Sequence, residues 1–453
     1  MLKRKFTPII EDFLLNQPNK ILLVNGARQI GKSYLIRYVG QKLFRHFIEI
    51  NLKEDYEGDQ IFKNVSTTDD LYIRLGNFYP NPIGNKEDTL IFLDEIQSYP
   101  HLLTMLKFLN QDGRYRFIAS GSELGVALSQ TPSVPIGSIA IKQMYPLDFE
   151  EFLWTTGIND DWIDVIRNNF LNRMPLDGET HTMMLKRFQY YLLVGGLPEA
   201  VNRFLLDRNI VEIRNIQSDI HELYKIDASQ YDKDHKLSIR KIYDLIPSNL
   251  ENHKKRIIYK EIENKKGKTF SDYAEDIDYL TNSGVALEVN AISNPKFPLK
   301  ESEQKKLIKL YLNDVGLLTD ILYQYNVNAV LQDIRSINLG AVYESVVAQE
   351  LKAHGFKLYY YDNKQKGEVD FLIDDFPNLC VLPIEVKSGK DYTQHSALTK
   401  FINTPEYGIK NAIVFSNERG IMEKKGITYM PIYFVMFLQN NIPKEDTILP
   451  PLD

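Results

Sequence analysis

The N-terminal part of this chain takes its architecture from one segment, ILLVNGARQIGKS at residues 21–33. A short apolar run leads into a loop that begins at Gly26 and ends at Gly31, and Lys32 and Ser33 follow directly. The next residues, YLIRYV, can continue as a helix. This is the pattern G-x-x-x-x-G-K-[ST] between a strand and a helix, the context that a phosphate-binding loop requires.

Each part of this loop has a chemical reason. Glycines let backbone N–H groups turn inward around an anion, and the helix that begins there adds its positive end. Lys32 would neutralise the β- and γ-phosphates, and the Ser33 hydroxyl would bind Mg²⁺. The segment therefore predicts a site for ATP and Mg²⁺. Its predicted nucleotide-binding residues are Gly26, Ala27, Arg28, Gln29, Ile30, Gly31, Lys32 and Ser33.

A second apolar run, TLIFLDEIQ at residues 89–97, ends in two carboxylates. Its bulky residues predict a buried parallel strand, and ligands bind at the carboxyl ends of such strands. Asp94 is predicted to bind Mg²⁺, directly or through a water molecule. Glu95 is predicted to act as the general base on the attacking water, and Gln97 to orient that water or sense the nucleotide.

A third strand, RFIAS at residues 116–120, is followed by Ser122, which is predicted to reach the γ-phosphate as a sensor. A serine-rich turn explains Ser120 and Ser122 equally well. Arg114 and Arg116 lie at the start of this strand. Either could act as an arginine finger on a neighbouring subunit of a homo-oligomer, although solvated surface arginines are more common.

Length and composition restrict the class of protein. A chain of 453 residues is too long for one ordinary core, so two to four domains are expected. The single cysteine, Cys380, excludes an internal disulfide framework and a multi-cysteine zinc site. No apolar stretch reaches roughly 18 residues, and MLKRKF is not followed by an apolar segment. We therefore expect a cytoplasmic protein with no membrane partner.

The middle of the chain predicts helices and a winged-helix-like region. Residues 147–190 are rich in helix formers and predict two or three helices. Residues 236–300 predict helices followed by a strand, VALEVNAIS. Between Lys254 and Lys268, seven basic residues against two acidic ones could contact phosphates of DNA, although the net charge of the whole chain is −6. A helix over 271–279 carries four acidic residues, which a DNA groove would repel, so packing against protein is at least as plausible.

The C-terminal part carries a second set of charged residues. A helix predicted over 340–355 has apolar residues on one face, and a strand-rich segment follows. Asp370 lies in one predicted strand, and Glu385 and Lys387 lie two apart on the next, so period-two geometry puts these two on one face. The two carboxylates are predicted to bind Mg²⁺, and Lys387 to position or deprotonate the attacking water.

This pattern resembles the PD-(D/E)xK phosphodiesterase superfamily. Glu344 on the preceding helix matches the additional acid of many members, and Gln394 or His395 could contact substrate. The motif is short, so two alternatives to a nuclease-type site stay open. They are a chance match, and a structural carboxylate–lysine pair in a fold that now only binds.

Four phrases together resemble a large group of prokaryotic AAA-type ATPases. They are GARQIGKS, LIFLDEIQ, IASGSEL and MYPLDFEEFL. The resemblance implies an α/β chain with an N-terminal P-loop parallel sheet and a C-terminal restriction-endonuclease-like domain. The implied divisions are a RecA-like ATPase domain at 1–150, a helical region at 151–230, a winged helix at 231–305 and a nuclease-like domain of unknown function at 306–453.

The resemblance also offers a role for the turn Gly196-Leu197-Pro198. In related signalling ATPases, a Gly-x-Pro turn at the start of the helical region touches the nucleotide base. A turn between two helices, ended by glycine and restarted by proline, explains the same residues without a ligand. The sequence does not separate these two interpretations.

Two functions follow as expectations. The first is an ATP-dependent, DNA-directed enzyme in which the P-loop domain controls a Mg²⁺-dependent nuclease-like domain. The second is a nucleotide-dependent switch whose C-terminal fold binds a protein partner or nucleic acid without cleaving it.

Overall fold

The structure is a computed structural model, and it describes residues 2–17, 19–78, 84–122, 124–125, 137–231, 236–252, 254–332, 339–389 and 391–440. The chain divides into two compact units. The first unit comprises Met1–Pro146, Ile226–Ile239 and Glu275–Val285. The second unit comprises Leu147–Lys225, Arg240–Ala274 and Ala286–Asp453. Each unit has its own β-sheet.

The sheet of the first unit is entirely parallel. Its strands are β1 Ile21–Asn25, β2 His46–Asn51, β3 Thr89–Asp94, β4 Arg116–Gly121 and β5 Ile139–Gln143. They lie in the order β2-β3-β4-β1-β5. Every residue of β1 and β3 is buried, as expected for strands covered on both faces. The predicted N-terminal parallel sheet is confirmed.

Helices flank these strands. They are α1 Phe6–Asn16, α2 Lys32–Leu43, α3 Leu52–Glu57, α4 Thr68–Phe78 and α5 Pro100–Asp112. The core beneath α5 and β3 is formed by aliphatic side chains such as Leu93, Leu102 and Leu106. Because α2 begins at Lys32, directly after the loop, its N-terminus lies at the predicted phosphate site.

A run of helices follows. They are α6 Phe149–Thr155, α7 Asp160–Leu171, α8 Gly178–Val194, α9 Pro198–Asp207, α10 Ile210–Tyr231, α11 Lys236–Glu251, α12 Tyr259–Ile262 and α13 Ala274–Asn282. The first three confirm the helices predicted over 147–190. The helix predicted over 271–279 is wrong at its start, because the Asp272 carboxylate accepts the Thr269 N–H at 2.9 Å and holds a 3-10 turn there.

The second unit contains an eight-stranded mixed sheet. Its strands are β6 Ala286–Ile292, β7 Glu303–Leu312, β8 Tyr359–Asn363, β9 Gly367–Asp375, β10 Cys380–Val386, β11 Ala412–Ser416, β12 Met422–Lys424 and β13 Ile427–Pro431. Their order is β12-β13-β11-β10-β9-β8-β6-β7. The strand predicted within 236–300 is therefore β6, which pairs with β7 as part of this larger sheet.

The remaining helices belong to the same unit. They are α14 Val315–Tyr323, α15 Asn328–Leu331, α16 Gly340–Ala353 and α17 Ser396–Ile402. The apolar residues predicted for α16, such as Val342, Val346 and Leu351, are fully buried, and every other residue from Ala341 to Leu351 is buried too, so the helix is covered on all sides. Within the parts of the chain that the structure describes, no helix combines the length and the apolar character that crossing a membrane requires.

The phrase YPLDFEEF is a helix cap. The Asp148 carboxylate accepts the Glu151 N–H at 2.9 Å, and the Glu151 carboxylate accepts the Asp148 N–H at 3.2 Å. This reciprocal pair satisfies N–H groups at the start of α6. The next N–H, that of Phe149, donates to Glu350 of α16 at 2.8 Å. The phrase thus fixes where the helical part of the second unit begins.

The glycine turn between α8 and α9 is closely packed against backbone. Gly195 ends α8 with a φ of 73°, and Pro198 is the first residue of α9. The Gly196 N–H donates to Asp314 at 2.6 Å, and its carbonyl accepts the Leu147 N–H at 2.8 Å. The packing accounts for the turn without a ligand, and the contact with a nucleotide base stays a prediction.

Gly196→Ala is expected to destabilise the protein by about 1–3 kcal/mol, the usual cost of overpacking. A Cβ at this position would lie 1.9 Å from the Leu147 carbonyl oxygen, and neither backbone segment can yield easily. The midpoint of urea-induced unfolding measures the change. Gly178→Ala is the matched control, because a Cβ there meets no atom within 4 Å. Equal midpoints for the two variants would contradict the packing argument.

Candidate functional site

The loop between β1 and α2 has the backbone conformation that an anion-binding nest needs. Gly31 has a φ of 90° and Gln29 a φ of 63°, both in the left-handed region. A Cβ on Gly26 would lie 2.5 Å from the Met144 carbonyl oxygen, so only glycine fits there. The alternation of conformations turns successive N–H groups toward one point. The loop predicted from sequence is therefore formed.

Lys32 lies at the centre of this loop. Its side chain is buried, and the ammonium group donates to the carbonyl oxygens of Gly26 and Ala27 at 2.8 Å each. Burial lowers the pKa of Lys32 to about 8, while the carboxylates of Glu95 and Asp94 act in the opposite direction. A phosphate group beside this lysine would stabilise its charged form further, so the environment favours an anionic ligand.

Asp94 and Ser33 meet at the end of β3. Burial raises the pKa of Asp94, and hydrogen bonds from the hydroxyls of Ser120 and Ser33 oppose that rise. The two predicted Mg²⁺ ligands of this site, Ser33 and Asp94, therefore contact one another. A hydroxyl and a carboxylate at hydrogen-bond distance are hard oxygen donors, and this pair fits Mg²⁺ that also binds phosphates.

Glu95 follows Asp94 with a φ of 54°, which is strained for a residue with a side chain. Its carboxylate accepts hydrogen bonds from the Gln97 amide and, at 3.4 Å, from the Ser122 hydroxyl. The structure therefore brings together three predicted residues, Glu95, Gln97 and Ser122. Their contacts fix the orientation of a carboxylate beside the loop, as a general base requires.

Arg28 has a partner that sequence reasoning missed. Its guanidinium donates to the Ser122 hydroxyl at 3.3 Å and pairs with the Asp227 carboxylate at 2.5 Å. Burial raises the pKa of Asp227, and Arg28 opposes the rise. Asp227 lies in α10, about 200 residues along the chain, and one acid in a helical pattern gives no signal of this pairing.

The end of α13 also reaches the loop. The Asn25 amide donates to Gln143 at 2.8 Å and to the Asn282 carbonyl at 3.4 Å. Gly284 has a φ of 77°, and a Cβ there would lie 3.1 Å from the Ala27 backbone nitrogen. Sequence reasoning considered this helix only as a DNA reader or a packing helix. In the first unit its C-terminal end packs against the phosphate-binding loop.

The two candidate arginine fingers have partners inside the first unit. Arg114 pairs with Asp69 at 2.5 Å and with Asp112 at 3.0 Å. Arg116 donates to the carbonyl oxygen of Leu14. A role of either arginine on a neighbouring subunit stays a prediction.

The candidate nuclease residues converge in the second unit. Strands β9 and β10 are antiparallel, and Ile384 pairs with Phe371. The neighbouring residues Asp370 and Glu385 are therefore adjacent, and the Val386 N–H donates to Asp370 at 2.9 Å. The Lys387 ammonium donates to Glu385 at 2.7 Å, which confirms that these two residues share a face.

Burial and mutual repulsion define the electrostatics of this group. Burial raises the pKa of Glu385 to about 8, and Asp370 adds to the rise while Lys387 opposes it. Burial raises the pKa of Glu344 to about 7, again with a contribution from Asp370. Glu344, predicted as an additional acid, therefore lies close to the other carboxylates.

The fit to a metal ion depends on the free oxygen of Glu385. Glu385 is 5% exposed, and its Oε2 accepts no hydrogen bond from any residue that the structure describes. A buried carboxylate oxygen without a donor is costly, and a cation would satisfy it. Across the described ranges, no group of three or more histidine, cysteine, aspartate or glutamate side chains is arranged to hold a metal ion. Mg²⁺ commonly needs only one or two carboxylates beside substrate phosphates, so Asp370 and Glu385 fit it.

Lys255 is the residue that sequence reasoning missed here. Its ammonium pairs with Glu344 and lies 3.9 Å from Asp370. The basic run from Lys254 to Lys268 predicted contacts with phosphates of DNA, but other lysines of this run are paired with acidic side chains. Lys265 and Lys268 lie 3.1 Å and 3.8 Å from Glu263.

His395, a predicted substrate contact, has local partners. Its Nε2 lies 2.6 Å from the Tyr429 hydroxyl, and its Nδ1 lies 3.2 Å from the Thr399 hydroxyl. Burial lowers the pKa of His395. Contact of His395 or Gln394 with substrate stays a prediction.

Three segments of the chain match known domain families. Residues 18–153 match the AAA domain. Residues 185–327 match a domain of unknown function, DUF8612, and residues 339–435 match another, DUF4143. Lys255 lies in the second segment, and Asp370 lies in the third.

Individual proteins are more distant. An uncharacterized protein of Methanocaldococcus jannaschii is 24% identical over 368 residues, which cover 79% of this chain and 72% of that protein. The Aeropyrum pernix ORC1 protein in complex with DNA is 14% identical, with a TM-score of 0.32, covering 73% of this chain and 91% of that one. The Thermotoga maritima RuvB Holliday junction branch migration motor is 14% identical, with a TM-score of 0.29, covering 63% of this chain and 89% of that one.

The family match and the loop geometry concern the same residues. The match over 18–153 contains the whole loop from Gly26 to Ser33, and it contains Asp94 and Glu95. Residues 18–153 therefore match the AAA domain in sequence and have the strand, loop and helix of a P-loop.

Proposed function

We propose that this chain is an ATP-hydrolysing enzyme whose P-loop domain controls a Mg²⁺-dependent, DNA-directed phosphodiesterase in its second unit. The match of residues 18–153 to the AAA domain supports the ATPase half, and ATP hydrolysis, cleavage of DNA and the coupling between the halves are all proposed. The four divisions and the winged helix expected from sequence belong to this proposal.

In the ATPase half, the chain's own residues bind, orient and accept a proton. The loop N–H groups and Lys32 would hold the phosphates, and Ser33 with Asp94 would hold Mg²⁺, which neutralises charge on them. Glu95 would take the proton of the attacking water. Gln97 and Ser122 hold that carboxylate in place. The Ser122 hydroxyl also accepts a hydrogen bond from Arg28. A phosphate that contacts Arg28 or Ser122 would therefore be linked to Glu95 through this hydroxyl.

In the phosphodiesterase half, Asp370 and Glu385 would hold Mg²⁺, which supplies a Lewis acid at the scissile phosphate. Lys387, as an ammonium, would orient the attacking water and balance the negative charge that develops on the phosphate, and the proton of that water would leave to solvent. The ammonium of Lys387 lies 2.7 Å from Glu385. Lys387 would therefore contact both a metal ligand and the attacking water. Burial of Glu385 strengthens each of these interactions, because water screens them little.

One observation carries this half of the proposal: the buried Oε2 of Glu385 without a hydrogen-bond donor among the described residues, beside a lysine on the same face. A purely structural ion pair would use its carboxylate fully. This group instead keeps one acceptor available for a cation.

A direct assay tests the proposal. Purified full-length chain is incubated with linear, branched and single-stranded DNA, with RNA, and with Mg²⁺ or Mn²⁺ or EDTA, while ATP hydrolysis and strand breaks are measured together. We expect ATP turnover in all samples that contain the metal ion, and strand breaks only with metal ion. DNA binding should weaken steeply as salt rises, because phosphate contacts release counterions. ATP hydrolysis without a break in any substrate would remove the phosphodiesterase half.

The ion pairs of the second unit favour an alternative function. Lys255 with Glu344 and Lys387 with Glu385 already neutralise two of the carboxylates. The second unit would then be a binding domain for a protein partner or nucleic acid, switched by the nucleotide. ATP-dependent association without strand breaks, and no stimulation of ATP hydrolysis by nucleic acid, would support this function.

A further inference from the structure

The carboxylates of the second unit enclose a side chain that the proposed reaction does not use. Asp370 raises the pKa of Glu344, and Asp370 and Glu344 both raise the pKa of Glu385, as carboxylates that lie near one another do. The Lys255 ammonium pairs with Glu344 and lies 3.9 Å from Asp370. It therefore occupies the space between two of the three acids.

The backbone around Lys255 is fixed, so the side chain is the part that can move. Lys255 has a φ of 49°, a left-handed conformation that is unfavourable for a lysine. Two residues later, the Ile257 N–H donates to Ile308 in β7 at 3.0 Å. The side chain of Lys255 is 24% exposed, so its ammonium can reach solvent without moving the sheet.

The Lys255 ammonium lies between two carboxylates, where a metal ion could also bind. A cation between Glu344 and Asp370 relieves the repulsion of two buried carboxylates, as a divalent ion would. The Tyr311 hydroxyl donates to the second oxygen of Glu344 at 3.4 Å, so Glu344 has both oxygens engaged.

We propose that Lys255 is a fifth residue of the C-terminal site, and that its ammonium holds the place of a divalent cation between Glu344 and Asp370. Lys255 would turn toward solvent when a divalent cation binds, and its ammonium would then be available to a substrate phosphate. The inference rests on the proposed metal site, but it does not require that the site cleaves DNA.

Binding of Mn²⁺ by nucleotide-free protein tests this, with free Mn²⁺ measured by electron paramagnetic resonance. All proteins carry Asp94→Asn, so that the P-loop site does not contribute. Lys255→Met is expected to bind Mn²⁺ at least about tenfold more tightly than its parent, because a competing charge at contact distance is removed. Lys254→Met is the matched control, since Lys254 is exposed and adjacent in sequence. Asp370→Asn should lose the site.

A second variant guards against misfolding. Lys255→Gln keeps the length and a hydrogen-bond donor and removes the charge, and it should show the same gain. Lys255→Arg should bind Mn²⁺ like the parent. Equal or weaker binding by both neutral variants overturns the inference, even where the parent cuts DNA. Tighter binding by the neutral variants in a protein that never cuts DNA sustains the inference and removes the proposed phosphodiesterase.

Discussion

Glu95→Gln is expected to leave ATP bound and to lower its hydrolysis by about 10²–10⁴-fold, the range for loss of a general base. The amide has the shape of the carboxylate but cannot take a proton from water. The contacts of Lys32 with Gly26 and Ala27 do not involve Glu95, so the loop keeps its conformation. Single-turnover hydrolysis and equilibrium binding of ATP, measured on the same preparation, separate the two effects.

The binding measurement belongs near pH 7. The Glu95 carboxylate supports the charge on Lys32, whose pKa is about 8, and glutamine removes that support. The variant lysine should therefore lose its proton at a lower pH than the parent, and ATP affinity should fall earlier as pH rises. Glu87→Gln is the matched control, because Glu87 is exposed and lies just before β3. Hydrolysis by Glu95→Gln at the rate of this control would show that another group accepts the proton.

The residues of this site that sequence reasoning found lie in short continuous segments of the sequence. Gly26 to Ser33 are consecutive, and Asp94 and Glu95 end one apolar run. In such segments, the chain's own periodicity and glycine positions determine the backbone, so the pattern contains the geometry. The parallel sheet of the first unit and most of its strands could be predicted from sequence for the same reason.

The residues that sequence reasoning missed pair with residues that are far away in the sequence. Asp227 pairs with Arg28 across 199 positions, and Lys255 pairs with Glu344 across 89. A single charged residue in a helix or loop has the same local pattern whether it faces solvent or a buried partner. Only the packing of β-sheet and helices selects among the many possible pairs.

The glycine turn and the acidic helix illustrate the same limit in another form. Gly196 was ambiguous because a ligand and a backbone neighbour both require the absence of a side chain. The acids of α13 argued against contact with DNA but did not show what the helix packs against; Asp276 is 1% exposed, and the end of the helix packs against the P-loop segment. Charge alone does not tell which face of a helix is covered.

Lys387→Met is expected to reduce Mg²⁺-dependent cleavage of DNA by at least about 100-fold, while ATP turnover stays within a factor of two of the parent. Lys387 is the one basic group whose ammonium contacts Glu385, at 2.7 Å, among the residues that the structure describes. Methionine keeps the length and the apolar stem of the side chain. It removes the charge that orients water and offsets the buried carboxylate.

Two controls make the result specific. Lys400→Met removes an exposed lysine from the same unit and should cleave DNA like the parent. If Lys387→Met, prepared in parallel, is inactive, the cleavage does not come from a contaminating nuclease. Mn²⁺ binding by Lys387→Met distinguishes loss of chemistry from loss of metal. Because the oxygens of Asp370 and the free oxygen of Glu385 remain, the ion should still bind. Undiminished cleavage by Lys387→Met would mean that the lysine neither orients the water nor offsets charge in the reaction, and another group would then have to position the water beside the same phosphate.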